Sequence, residues 1–140
     1  MSDPAISVER RREARERALA LLYEAESKGV SPREVVDALP VPPDPFASDL
    51  VRGVGDTEAG LDERIGAVSR GWTVARMPAI DRALLRIGCY ELLYEPDTPT
   101  AVIINEAVEL ATRFSTDDSG RFVNGVLSKL AEQLRPAERD

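Results

Sequence analysis

The sequence predicts an all-α protein of about seven helices. Apolar residues recur every three or four positions over most of the chain, and no segment alternates as a half-buried strand does. Glycines, prolines and capping residues separate these stretches by short connections, which is typical of a helical bundle. The length of 140 residues suits one domain, so we expect residues 1–140 to form a single domain.

Glycine and serine bound the first two predicted helices. The first should extend from Val8 to about Ser27, because its small and apolar residues fall on one stripe and Gly29 can end it. The second should cover residues 31–39. Ser31 is a good N-cap there, and a proline and a glutamate follow it in the pattern of a capping box.

A third helix is predicted to begin after Asp44, which can cap it, with Pro45 in its first turn. Its apolar stripe continues to about Arg70. Three glycines weaken the helix and favour a kink or a break. They are Gly53, Gly55 and Gly60.

The second half of the chain begins with a corner at Gly71 and Trp72, followed by one short turn after Thr73. A strongly apolar helix over residues 78–93 should be the most buried element, and a further helix should cover residues 99–114.

The last helix should follow the segment 115–119, with Asp117, Asp118 or Ser119 as its N-cap. Within this helix, Gly125 is expected to permit close packing against a neighbouring helix.

The composition argues against catalysis. Histidine is absent and Cys89 is the only cysteine. This composition excludes most kinds of zinc site, a histidine general base and an internal disulfide. Cys89 lies in an apolar stretch and is interpreted as a small buried hydrophobe. We therefore expect no cofactor, no metal and no enzymatic activity. No signal peptide or membrane-spanning run is recognisable, so a cytoplasmic protein is expected.

The net charge of −7 initially argues against nucleic acid, but its distribution is uneven. Residues 1–17 carry +1, residues 18–112 carry −8 and residues 113–140 are neutral. Arginine outnumbers lysine by 16 to 2, and its planar guanidinium suits both phosphate and the faces of bases. Both ends of the chain are thus candidates for an RNA-binding surface.

The first helix segregates its charges. Arg11, Arg12 and Arg15 fall on one flank of the apolar stripe, whereas the glutamates fall on the other. Spacing alone favours a solvated face with ion pairs four residues apart, such as Arg12 with Glu16. However, arginines at a helix N-terminus oppose the helix dipole, which suggests a compensating anion such as phosphate.

The start of the last helix is the second candidate surface. Arg121 could contact phosphate, and a carboxylate such as Asp118 could accept hydrogen bonds from base amino groups. Phe122 could stack on an unpaired base. The alternative for Phe122 is core packing, because Val126 and Leu130 share its stripe.

Three segments carry a resemblance to a known family. They are RRREARERALALLYEAE (residues 10–26), DRALLRIGCYELLY (residues 81–94) and PTAVIINEAVELATRFSTDDSGRFVNGVLSKL (residues 99–130). Over nearly its whole length the chain resembles the NusB family of bacterial transcription antitermination factors. The third segment is the most specific, since an INEAVELA helix followed by a DSxxFVNGVL helix rarely arises by chance.

The resemblance implies an all-α fold of two small, packed helical bundles and a non-enzymatic function. It implies binding of single-stranded boxA RNA in nascent ribosomal RNA leader transcripts, together with NusE, a small-subunit ribosomal protein. The complex would join the RNA polymerase elongation complex with other Nus factors and help the polymerase to resist termination. The family includes monomers and homodimers, so a homodimer is possible here.

The resemblance also implies an RNA-binding site. Its residues match Arg10, Arg11, Arg12 and Arg15 of the first helix, Asp118, Ser119 and Phe122 near the last helix, and the basic positions Arg86 and Arg121. The sequence departs from the family pattern at Ser128, where aspartate is common, and at Gly88-Cys89, where a more apolar pair is common. Neither departure removes a group that would contact RNA.

Two alternatives stay open at this point. NusB-like domains also precede a ribosomal RNA cytosine methyltransferase domain, so the chain could be the recruiting part of such an enzyme. It could also be a homo-oligomeric interaction scaffold whose arginine-rich helix mediates self-association. A dimer formed through that helix should compete with RNA.

Overall fold

The computed structural model describes residues 4–136, with side chains from residue 8 onward. This part of the chain contains α1 (Pro4–Lys28), α2 (Pro32–Asp37), α3 (Pro45–Val68), α4 (Ala79–Tyr94), α5 (Thr100–Phe114) and α6 (Asp117–Leu134), and a 3-10 turn at Val74–Arg76. The prediction of an all-α protein with about seven helices is confirmed. No helix in residues 4–136 is long and apolar enough to cross a membrane. The fold divides into two compact units, which meet in sequence between Asp56 and Thr57.

In the first unit α1 packs against α2. The predicted stripe of α1 is buried, and it consists of Ala14, Ala18, Leu21, Leu22 and Ala25. Gly29 ends the helix with a φ of +67°, a conformation that glycine adopts without steric cost. At the start of α2 the Ser31 hydroxyl accepts a hydrogen bond from the Glu34 amide at 3.1 Å, as the capping pattern predicts.

The three glycines, which made a kink or a break possible, do not break α3, because the helix is continuous over 24 residues. At its start the Asp44 carboxylate accepts a hydrogen bond from the Phe46 amide at 2.8 Å. Packing explains one of these glycines. At Gly55 a Cβ would lie 3.0 Å from Cβ of Pro32. The missing side chain lets the proline ring of α2 lie directly against α3 within the first unit.

In the second unit α4, α5 and α6 pack on one another. Ten of the 16 residues of α4 are buried, which agrees with its strongly apolar sequence. Gly88 lies against the fully buried Leu127, whose Cδ atoms would be 2.7 and 2.8 Å from an added Cβ. This close approach of α4 and α6 accounts for the glycine at position 88.

The packing role predicted for Gly125 is wrong, because nothing lies within 4 Å of the position its Cβ would take. Gly120 has that role instead, since a Cβ there would lie 2.5 Å from Oγ1 of Thr112 on α5. Both glycines are on α6, but they lie on different faces of the helix. The sequence shows that a glycine is present, whereas the neighbouring helix decides which one is needed.

The N-cap of α6 also differs from the prediction. Thr116, not Asp117, Asp118 or Ser119, caps the helix, and its Oγ1 accepts a hydrogen bond from the Ser119 amide at 3.0 Å. The two aspartates therefore lie in the first helical turn. Their charges are favourable there because the N-terminal end of a helix is partially positive.

Candidate functional site

The predicted site residues fall into two groups, one in each unit. In the first unit, the beginning of α1 lies against the beginning of α3. Arg10 donates a hydrogen bond through Nη2 to the Asp44 carboxylate at 3.2 Å. The guanidinium carbon of Arg11 lies 4.5 Å from the centre of the Phe46 ring, and that of Arg15 lies 5.3 Å from it. The Phe46 ring thus holds two arginines by cation–π contacts.

We call Arg10, Arg11, Arg12 and Arg15 the arginine cluster. Its members differ in exposure, since the first three are exposed whereas Arg15 is only 3 % exposed. A buried arginine can hold its neighbours in place but cannot reach a bulky ligand without moving. In this structure Arg15 therefore positions Phe46, and the three exposed guanidinium groups are those that an anion could reach.

Beside the arginine cluster lies an open cavity of about 240 Å³, lined by Arg10, Arg11, Asp44, Pro45 and Phe46. Its apolar surface comes from the proline and the phenylalanine, and its cationic rim comes from the two arginines. Such a combination suits a flat ring that carries a phosphate. Sequence reasoning used Asp44 and Pro45 only as helix-start signals and assigned no role in binding to Phe46, because their contacts with α1 are tertiary.

In the second unit, Asp118 and Arg121 form an exposed ion pair on the first turn of α6. Their side chains are 89 % and 74 % exposed, so both are accessible and the pair is weak. Ser119 is buried, and its hydroxyl lies 2.9 Å from the Ser115 hydroxyl and 3.1 Å from that of Thr116. Ser119 therefore stabilises the connection that leads into α6, the helix that carries the charged pair.

Phe122 is half-buried, and its ring contacts the indole of Trp72. The two ring centres are 6.0 Å apart and the planes are tilted by 58°. The core packing considered for Phe122 is thus only partial. Trp72 is 52 % exposed, although its position in the sequence indicates only a corner between helices.

Arg86 has a different environment from the other predicted residues. Its Nε and Nη2 donate to the two carboxylate oxygens of Asp62, each at 2.8 Å, and its Nη1 lies 2.9 Å from Glu58. Its side chain is only 15 % exposed. Two carboxylates from the second half of α3 therefore neutralise this guanidinium, which ties α4 to α3.

Two further observations concern metal binding and the reactivity of the cysteine. No cluster of three or more potential metal ligands occurs among the residues that the structure describes. Burial raises the pKa of the Cys89 thiol to about 11, and the nearby carboxylate of Asp62 contributes to the shift. A thiol with such a pKa carries little thiolate at neutral pH, so Cys89 is a poor nucleophile.

Comparison with known proteins places this architecture in a family. A model of the NusB family matches residues 12–132. The transcription antitermination protein NusB of Kineococcus radiotolerans is 46 % identical over 126 residues, which cover 87 % of this chain and 93 % of that protein. The corresponding protein of Arthrobacter sp. is 44 % identical over 131 residues, covering 91 % and 96 %.

The fold is also similar to solved structures of NusB proteins. NusB of T. maritima superposes with a TM-score of 0.82 at 30 % identity, over 99 % of this chain and 97 % of that one. A chain from a crystal structure of antitermination factors NusB and NusE in complex with double-stranded RNA superposes with a TM-score of 0.76 at 25 % identity, over 89 % and 98 %.

Proposed function

The chain belongs to the NusB family, and from that membership we propose that it acts as a transcription antitermination factor. It binds boxA RNA in nascent ribosomal RNA leader transcripts together with NusE, and helps RNA polymerase to resist termination. The relatives that it matches over more than nine-tenths of their own length are antitermination proteins, which favours this function over recruitment of a methyltransferase.

The observation that carries the proposal is the arginine cluster. Arg10, Arg11 and Arg12 are exposed in the second and third turns of α1, and Arg11 is held over Phe46. Holding a guanidinium in advance lowers the conformational entropy that is lost when a phosphate binds. In our proposal the three exposed arginines contact RNA phosphates, whereas Arg15 positions the Phe46 ring.

The second unit contributes base recognition. Asp118 accepts hydrogen bonds from base amino groups, Arg121 contacts a phosphate and Phe122 stacks on an unpaired base. Ser119 holds the loop in place through its hydroxyl contacts. We assign Arg86 a supporting role, because its guanidinium is already paired with Asp62 and Glu58.

The partners follow from the same family. A related complex contains NusE and RNA, and we propose the same partners here, with the RNA polymerase elongation complex and other Nus factors. The acidic middle of the sequence, with −8 over residues 18–112, offers charge complementarity to a basic ribosomal protein. A protein with these partners works in the cytoplasm and needs no catalytic activity of its own.

The test is a charge reversal in the arginine cluster. The double variant Arg11→Glu/Arg12→Glu should weaken binding to boxA RNA by at least about tenfold at moderate salt, because it replaces two cations that face phosphates. The measurement is fluorescence anisotropy of labelled RNA, with and without NusE. Circular dichroism should show unchanged helicity, since both side chains are exposed.

The matched control is the double variant Arg17→Glu/Lys28→Glu, which changes two other exposed cations of α1 by the same total charge. Its affinity should stay within about twofold of the wild type. Equal losses in both double variants, or no loss in either, would contradict the proposed site. Scrambled RNA and a duplex of the boxA sequence complete the comparison, and tighter binding of the duplex would contradict recognition of unpaired bases.

A further inference from the structure

We propose that Trp72 is a second base-stacking residue, which together with Phe122 forms a two-ring platform for unpaired RNA bases. This inference rests on the proposed function and deepens it, because it adds a contact that the predicted site lacks. The two ring centres are 6.0 Å apart, and the indole is 52 % exposed. About half of the Trp72 residue is thus accessible to a ligand, while its ring also contacts that of Phe122.

The backbone around Trp72 holds the indole in place before any ligand binds. Gly71 turns the chain with a φ of +77°, and the Trp72 amide donates a hydrogen bond to the Ser69 carbonyl at 3.1 Å. The Ser69 hydroxyl in turn donates to the Ile65 carbonyl at 2.7 Å. These bonds tie the corner to the end of α3.

Arg82 fixes the other side of the corner. It is only 9 % exposed, and its Nη1 donates to the carbonyl of Met77 at 2.6 Å and to that of Val74 at 3.1 Å. Through these hydrogen bonds, Arg82 in the first turn of α4 stabilises the 3-10 turn that follows Trp72. A side chain on such a support loses little conformational entropy when a base stacks on it.

The charge around the platform favours RNA over an apolar protein surface. Residues 69–80 contain Arg70 and Arg76 and no acidic residue, although the whole chain carries −7. Both of these arginines are exposed, and the exposed Arg121 precedes Phe122 directly. Cations beside aromatic rings are the combination that binds single strands, because the rings stack on bases while the cations contact phosphates.

The ligand we infer is therefore a short unpaired stretch of RNA. In a duplex the faces of a base are covered by its neighbours, so two protein rings can stack only on bases that are unstacked. The indole offers the larger surface and does not depend on base identity. We expect Trp72 to contribute affinity, whereas polar groups such as Asp118 contribute selectivity.

Trp72 is the only tryptophan of the chain, so its fluorescence reports directly on the platform. Titration of the full chain with unlabelled boxA RNA, with and without NusE, should quench this fluorescence in parallel with binding measured by anisotropy. NusE alone should leave it unchanged. The variant Trp72→Ala should weaken RNA binding about tenfold, and Trp72→Phe should recover most of the loss because it keeps an aromatic face.

Tyr94→Ala is the matched control, since Tyr94 is another aromatic residue that is 52 % exposed in the same unit. Its affinity should equal that of the wild type. RNA binding without quenching, together with an unchanged affinity of Trp72→Ala, would overturn the platform and leave the proposed function intact. Absence of RNA binding in the wild type would overturn both, and quenching by NusE alone would assign the indole to a protein interface instead.

Discussion

At the scale of the single residue, the absence of a side chain at Gly88 decides how closely two helices approach. A methyl group there would lie 2.7 Å from one Cδ of Leu127 and 3.3 Å from its Cγ, and Leu127 is fully buried. Interiors are close-packed, so such an overlap must displace side chains or the backbone. The packing of α4 on α6 therefore explains why position 88 is a glycine.

We therefore expect Gly88→Ala to lower the free energy of unfolding by about 1–3 kcal/mol, the usual cost of overpacking. Gly125→Ala is its control, because it adds the same methyl group to an exposed helical position with nothing within 4 Å. That change should raise stability by up to about 1 kcal/mol, since alanine favours a helix over glycine. Urea unfolding of both variants measures the difference, and a destabilised Gly125→Ala would contradict the assignment.

At the scale of the element, Arg135, which follows α6, caps the C-terminus of α4 by donating hydrogen bonds to its last carbonyls. Its guanidinium donates to the carbonyls of Glu95 at 2.8 Å, Leu92 at 3.1 Å and Glu91 at 3.1 Å. It also reaches the Thr98 carbonyl at 2.7 Å in the loop that follows. The last carbonyls of a helix have no partner within the helix, and a cation near them also complements the dipole.

We expect Arg135→Ala to destabilise the protein by about 2 kcal/mol, because several carbonyls lose a charged donor at once. Arg135→Lys should recover part of this loss, since the ammonium keeps the charge but lacks the planar fork. Amide hydrogen exchange would locate the effect, with faster exchange at the end of α4. An alanine variant as stable as the wild type would show that water replaces the arginine without cost.

At the scale of the whole molecule, an acidic chain is proposed to bind an acidic polymer. This is possible because electrostatic contacts with RNA are short-ranged at physiological salt, where the screening length is about 8 Å. Local positive charge, at Arg10, Arg11 and Arg12 in the first unit and at Arg121 in the second, therefore matters more than the net charge of −7. The acidic segments remain available for a basic protein partner.

The salt dependence of RNA binding tests whether these arginines contact phosphates. Neutralising four phosphates of a single strand predicts a slope of log K against log salt of about −3, and Arg12→Glu should reduce its magnitude by about 0.7. The measurement is a series of anisotropy titrations at increasing potassium chloride. A slope near zero would contradict phosphate contacts, whereas a far steeper one would require cations outside the proposed surface.

Local rules alone were sufficient to predict the helices of this protein and most of their boundaries. Apolar spacing places the buried stripe of α1, and Ser31, Asp44 and Gly29 act as the start and stop signals that their chemistry predicts. Each of these signals acts on residues only a few positions away, so it can be recognised from the sequence alone. Spacing also predicted that Arg11, Arg12 and Arg15 share one flank of α1, whereas Arg10 joined the arginine cluster only through the family resemblance, and spacing did not show that Arg15 is buried.

Other features depend on neighbours that are distant in sequence, and only the tertiary structure decided them. Gly120 rather than Gly125 is the glycine against which another helix packs. Phe46 and Trp72 joined the candidate surfaces only through contacts with α1 and with Phe122. The physical reason is the same in each case: spacing determines which face of a helix a residue occupies, but packing determines what meets that face.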